Sequence, residues 1–197
     1  VKIEESTDHG FIPDIVVDTG DVAATGSIGS IPWTVTALHT PGHTSNHTCF
    51  ALTSESAGRV LFTGDHVMGW STTVVSPPDG DMADYMNSLR MVAGRRDDVA
   101  IPTHGSPIPN PGHFVGQLVD HRLERERQVL DAVRRGNSTI PEMVTELYAD
   151  VRVELHRPAG ASVLGHLVKL VADRLVAVDV DRGESVLPRL DSTYRAV

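Results

Sequence analysis

Apolar and polar residues follow two rhythms along this chain. In WTVTALH (Trp33–His39), Trp33, Val35 and Ala37 alternate with threonines, the period of a strand with one buried face. IVVDTGD (Ile15–Asp21), HTCFAL (His47–Leu52), RVLFTGD (Arg59–Asp65) and VAIPTHG (Val99–Gly105) also read as strands, the last followed by a loop. SESAG reads as the turn between HTCFAL and RVLFTGD. The period lengthens in DMADYMNSLRMVAG, where Met82, Tyr85, Met86 and Leu89 share a stripe and Gly94 makes a stop, so a helix is predicted there.

A long helix is predicted from Asn110, as cap, and Pro111, at the first position, to Arg135, with Gly136 as terminator. Phe114, Leu118, Leu123, Leu130 and Val133 give it an apolar side. Beyond Asn137, Thr139 and Glu142 form a capping box that opens a helix through Tyr148. Pro158–Leu175 is a second helix, with Val163, Leu164, Leu167, Leu170 and Val171 on one face, and LVAVDVDRGESVLPRL reads as two short strands around DRGE. Two helices and a β-hairpin in so short a span suggest a small winged-helix module. The chain therefore reads as α/β (α+β), with a first domain over residues 1–135, closed by the long helix, and a winged-helix-like domain over 136–197.

Composition sharpens this picture. The chain has 197 residues, 40 % of them hydrophobic, which is enough for a real core. No apolar run approaches the length of a membrane span, and the charged opening VKIEESTDHG lacks the pattern of a secretory signal. One cysteine, Cys49, excludes an internal disulfide and fits a reducing compartment, so the expected location is cytoplasmic, with Cys49 a buried, inert thiol. The net charge is −9, and the whole excess lies early: residues 1–120 hold 5 Lys and Arg against 14 Asp and Glu, and the remainder 12 against 12. Such a field argues against polyanionic partners for the first part.

Ten histidines is a high count, and five of them fall between His39 and His104. In LHTPGHTSNHTCF, His39, His43 and His47 stand four residues apart, a spacing that would align them on a helix. Pro41 forbids the helix: it removes a backbone donor and pushes Thr40 out of the helical region, and Gly42 adds a break. The segment is a tight loop between strands, with His39 at the end of the incoming strand, His43 at the tip and His47 at the start of the outgoing one. One or two of the three can reach a given ion. Asp65 and His66 in FTGDH, and His104 in PTHG, also follow buried apolar runs. A carboxylate and imidazoles held at strand ends suit zinc or a similar first-row metal.

TPGHTSNH, FTGDHVMG and PTHG, in that order, resemble the third, fourth and fifth motifs of the metallo-β-lactamase superfamily. DHRLERERQVLDAVRRGNSTIPEMVTELY and SVLGHLVKLVADRLV resemble the branch whose hydrolase domain carries a C-terminal winged helix, which includes bacterial metallo-hydrolases and an endoribonuclease-like group. The resemblance implies the C-terminal part of an αββα sandwich over residues 1–135. It implies that His43 binds the first of two metals, that His104 binds the second, and that Asp65 bridges both and orients a hydroxide between them. Zinc is the implied ion, two per complete site, with manganese or iron as alternatives. His39, His47 and His66 then read as residues that orient these ligands. The loop HVMGWSTTVVSPPDGD becomes a pocket rim, where Ser71, Thr72 and Thr73 offer hydroxyls and Trp70 is either an apolar wall or a core residue beneath the loop. His9, His113, His121, His156 and His166 read as surface or helix-packing residues.

The superfamily's first motif, two alternating histidines followed by an Asp-His pair, has no match between Val1 and Ser30. The expectation is half a sandwich, with apolar sheet surface and a strand edge exposed. Each ion would keep one histidine and a share of Asp65, a weak and incomplete site until another segment completes it. The whole protein is expected to be a metal-dependent hydrolase acting on an ester, thioester, lactone or phosphodiester. A small-molecule ester, thioester or lactone is the first expected partner, with RNA behind these, no membrane, and a homo-oligomer through the winged helix as an option. Two other readings stay open: a nucleic-acid-binding winged helix, although the module is near neutral, and a non-catalytic relative with a degenerate hydrolase domain.

Overall fold

The computed structural model describes residue 10 and residues 12–179 and 187–197. Six strands form one sheet in sequential order: β1 (Val22–Ile28), β2 (Ile31–His39), β3 (Thr48–Ser54), β4 (Gly58–Gly64), β5 (Val99–Pro102) and β6 (Ile108–Pro109). Neighbours run antiparallel except β4 and β5, which are parallel. A parallel pair needs a crossover, and it contains α1 (Met82–Ala93). Asp81 caps α1 by accepting from the Asp84 amide, 2.9 Å. Then follow α2 (Pro111–Arg134), α3 (Ile140–Leu147), a short 3₁₀ turn at Val153–Leu155, α4 (His156–Ala172) and a hairpin of β7 (Val176–Asp179) and β8 (Thr193–Ala196). No helix among the described residues is long and apolar enough to cross a membrane.

Strand alternation assigns one sheet face to the core. Cys49, Ala51, Leu61 and Ala100 point to the helices and pack with Met82, Tyr85, Met86, Leu89 and Val92 of α1 and Val115 of α2. The opposite face carries the cross-strand row Ala37, Phe50, Phe62 and Ile101. Phe62 and Ile101 on that row are exposed, and among the described residues β1 is an outer strand of the sheet. A second cluster joins Val129, Ala132 and Val133 of α2 to Met143 of α3, Leu167 and Leu170 of α4, Val176 and Tyr194. The long helix is thus shared between two cores. Thr139 and Glu142 make the expected capping box.

Four local expectations need correction. Ile15–Asp21 is not a strand: the Asp21 carboxylate accepts from the Asp18 amide at 2.8 Å, closing a turn around Gly20, and the strand starts at Val22. Asn110 does not cap α2 through its side chain, because it lies in the left-handed region (φ 49°), where β6 turns directly into the helix. Leu123 is exposed, since the buried stripe of α2 runs through Val115, Arg122 and Val129 and leaves Leu123 a helical step aside. The hairpin's second strand is Thr193–Ala196, anchored by buried Tyr194; residues 187–190 form no strand, and Pro188 cannot donate to a ladder. DRGE lies outside the described residues, as does His9.

His166 packs between α4 and α2, 1 % exposed. Among the described residues neither ring nitrogen has a hydrogen-bond partner, and Glu126 Oε2, 3.6 Å from Nδ1, is too far for one. Burial, partly opposed by the Glu126 carboxylate, holds the imidazole below its ordinary value. The folded protein therefore keeps it neutral, while the unfolded chain binds the proton more tightly. Its stabilising contribution is complete above about pH 6.5 and is lost as the pH falls below that value. Melting temperatures should fall on acidification from about pH 7 to about pH 5, and His166→Leu should flatten that slope. An identical slope in the variant would contradict this.

Candidate metal centre

Three loops meet at one end of the sheet because of its pairing. β4 and β5 end side by side, with Gly64 opposite Pro102, so the residues that follow, Asp65 and His104, face one another. His104 Nε2 stands 3.6 Å from Asp65 Oδ1. β2 and β3 pair His39 with Thr48, so the loop between them turns over the same end. It brings His43 Nε2 to 4.0 Å from Asp65 Oδ2. The carboxylate thus turns one oxygen to each imidazole.

Two ligands of one zinc ion, each about 2.0–2.2 Å from it, stand roughly 3.5 Å apart at a tetrahedral angle. Both separations are on that scale. Asp65 Oδ1 is a buried atom with no hydrogen-bond partner among the described residues. A buried carboxylate oxygen without a donor is unfavourable, and a cation beside it relieves the penalty. The donors therefore fit part of a metal site. They do not make a whole one: among the described residues, no three His, Cys, Asp or Glu side chains surround a single ion position.

The loop that carries His43 is fastened to α1. Gly42 has φ 133°, and a Cβ there would run into the Tyr85 backbone. Asp81 N donates to Gly42 O at 3.0 Å, and Ser88 Oγ donates to Pro41 O at 2.8 Å. Ser45 donates to Asp79 Oδ1 through both its amide and its hydroxyl, at 3.2 and 2.7 Å. His43 Nδ1 lies 2.7 Å from the Val74 carbonyl, which can only accept. The neutral ring therefore carries its proton on Nδ1, and Nε2 is the nitrogen turned toward Asp65.

The other predicted residues divide by role. His47 is half-buried and sits over Gly64, its Nδ1 2.8 Å from Thr40 Oγ1 and its ring centroid 6.3 Å from that of His43. Burial, then the neighbouring His43, lower its pKa. His66 is buried, with its ring 5.0 Å from that of Tyr85, and burial pushes it down to about 3. His39 stands aside, Nε2 against the Ser45 carbonyl at 3.0 Å. Trp70 is 72 % exposed, which corrects the reading of it as a core residue. Ser71 and Thr72 are half-buried. Thr73 is buried, and its hydroxyl donates to the carbonyl of Asp65 at 2.6 Å, with that of His66 at 3.1 Å. Thr73 therefore braces the Asp65 backbone and offers no hydroxyl to a substrate. Cys49 is the buried thiol expected; burial raises it to about 11.

Three supporting residues escaped sequence reasoning. The Tyr85 hydroxyl donates to the His66 carbonyl at 3.0 Å, Ser88 holds Pro41, and buried Arg122 donates to the Thr73 carbonyl. Tyr85 was hidden in an apolar stripe. Arg122 left a signal: a charge at the core phase of α2.

Comparison with known proteins identifies the family. Residues 7–104 match the model of the metallo-β-lactamase superfamily, and residues 139–184 match the β-lactamase-associated winged helix domain. The chain belongs to the metallo-β-lactamase superfamily. Its mixed α/β fold with a C-terminal winged helix is that of the branch the motifs resemble. An atrochrysone carboxyl ACP thioesterase of Aspergillus chevalieri is 36 % identical over 159 residues, covering 76 % of this chain and 49 % of its own. The thioesterase AgnL7 of Paecilomyces divaricatus is 34 % identical over 194 residues, covering 91 % and 56 %. A β-lactamase domain protein of Burkholderia ambifaria, 24 % identical, shares the fold with a TM-score of 0.70 over 95 % of this chain and 54 % of its own. This superfamily member spans about half the length of the curated relatives it matches.

Proposed function

We propose that this chain is part of a metal-dependent hydrolase whose substrate is a small-molecule thioester. The carrying observation is the Asp65 carboxylate, held between His43 and His104 with one buried oxygen lacking a donor. The ACP thioesterase relatives favour a thioester over an ester, lactone or phosphodiester. His43 with Asp65 would hold one divalent ion and His104 with Asp65 a second, zinc suiting these donors, with manganese or iron as alternatives. Each ion also needs donors that the described residues do not place there. A bound divalent ion supplies Lewis acidity at the attacked carbonyl and a nucleophile from water near neutral pH.

The protein's own residues supply position. The Val74 carbonyl fixes the His43 tautomer, and Thr73 with Tyr85 anchors the backbone at Asp65 and His66. His47 and His66 pack behind the ligands, and exposed Trp70 offers an apolar surface for an acyl chain. A division into two units is supported by the two cores, the second of which also takes Val129, Ala132 and Val133 from the end of α2, before the boundary proposed at residues 135 and 136. A DNA-reading winged helix has less support. Of the three basic groups within Pro158–Leu175, His166 is buried, Lys169 is bound to Glu126 and Asp173 at 2.8 and 2.7 Å, and Arg174 alone is exposed, too little for a basic face. Buried, reduced Cys49 supports a cytoplasmic setting.

The test is hydrolysis of an acyl thioester by the full-length protein, set beside the matching oxygen ester. The thioester should turn over faster, a chelator should lower its rate by at least about a hundredfold, and added zinc should restore it. Full activity after complete metal removal would overturn the reading.

A further inference from the structure

A cavity of about 240 Å³ opens between the 72–74 segment, α2 and the start of α4. None of His43, Asp65 and His104 lines it. Arg122, Thr73 and Ser162 form its polar wall, and Tyr148, Val151 and Leu155 an apolar one. Arg122 is 4 % exposed. Its guanidinium donates to the Thr73 carbonyl and to Ser162 Oγ at 3.5 Å, and lies 5.4 Å from the Tyr85 ring centroid. All three partners are neutral.

Several other arginines are paired with acids, among them Arg95 with Asp97, Arg127 with Glu124 and Asp131, and Arg135 with Glu146. Among the described residues, no carboxylate forms an ion pair with Arg122. Arg125, three residues on, donates to the Leu147 carbonyl at 3.3 Å and lies 4.4 Å from the Tyr148 ring centroid, also with no carboxylate partner among the described residues. The excess positive field reaches nearby groups: after burial, Arg122 and Arg125 push His121 down. A buried guanidinium without a counter-charge is unfavourable in a protein interior. This one lines an open cavity, in a chain of net charge −9.

We propose that this cavity binds a small organic carboxylate, its anionic head on Arg122 and its apolar body against Tyr148, Val151 and Leu155. The planar guanidinium fork suits a carboxylate. The volume is below the range of about 300–1,000 Å³ for drug-sized ligands, so the ligand is a single-ring or short-chain acid. An inorganic anion would satisfy the charge and leave the apolar wall bare. The ligand would also rest on Thr73 and Val74, which hold the Asp65 backbone and the His43 ring. The proposal stands apart from the hydrolase reading and needs no metal or activity to test.

Benzoate serves as the probe, titrated into the full chain while the Arg122 Nε–Hε resonance and the melting temperature are followed. The result expected is a saturable shift of that resonance and a rise in melting temperature, with acetate and inorganic phosphate at least about tenfold weaker. Arg122→Gln should weaken benzoate by about tenfold or more. Val151→Trp, which fills the apolar wall and leaves the guanidinium in place, should do the same, and it keeps the test open if the first variant does not fold. No saturable shift with benzoate, phosphate binding as tight as benzoate, or unchanged benzoate affinity in Val151→Trp would each overturn the proposal.

Discussion

Replacing Asp65 by alanine is expected to lower thioester turnover of the full-length protein by roughly a thousandfold, because the metal-dependent lowering of water's pKa is lost with the carboxylate. Among the described residues Asp65 alone reaches both imidazoles, at 3.6 and 4.0 Å, so its loss removes a donor from each proposed ion. His43→Ala and His104→Ala each remove a donor from one ion and should cost less. The fold should survive, since the Asp65 side chain is 36 % exposed and one of its oxygens has no protein donor to lose. Bound zinc should fall together with rate, while the melting temperature stays within a few degrees in the metal-free state. Undiminished turnover in the variant would remove Asp65 from the chemistry.

Leu61→Ala should be the most damaging single truncation for stability. Leu61 is fully buried at the centre of β4, between Ala51 of β3 and Ala100 of β5, under the helices of the first core. Its neighbours are small on both sides, so the core cannot close over the gap. The expected loss is about 3–4 kcal/mol, against a total stability of about 5–15 kcal/mol. Urea unfolding should show a lower midpoint with an unchanged slope. Leu123→Ala, on the exposed side of α2, should change stability by no more than about 0.5 kcal/mol. Similar losses in the two variants would contradict the assignment of the buried face. Because Asp65 directly follows β4, residual folded Leu61→Ala should also bind zinc more weakly.

Much of the architecture could be read from alternation and punctuation. Pro41 and Gly42 decided that the histidine cluster is a loop, and the Thr139 and Glu142 pair marked the start of α3. The failures came where a side chain competes with the backbone or a contact is distant in sequence. Asp21 closes a turn on the Asp18 amide, which an apolar run such as IVV cannot reveal. Asn110 is a good capping residue by type, yet its left-handed backbone points the side chain elsewhere. Around the centre, the motifs supplied His43, Asp65 and His104, and the parallel pairing of β4 with β5 explains why two of them face each other. Tyr85, Ser88 and Arg122 could not be placed in the same way. Their partners lie 19, 47 and 49 residues away, and no local spacing encodes such distances.

The most direct test is anomalous diffraction from crystals of this chain soaked in excess zinc, recorded on both sides of the zinc absorption edge. The account predicts two peaks, one between His43 Nε2 and Asp65 Oδ2 and one between His104 Nε2 and Asp65 Oδ1. Zinc bound elsewhere on the molecule, with no peak touching Asp65, would contradict it.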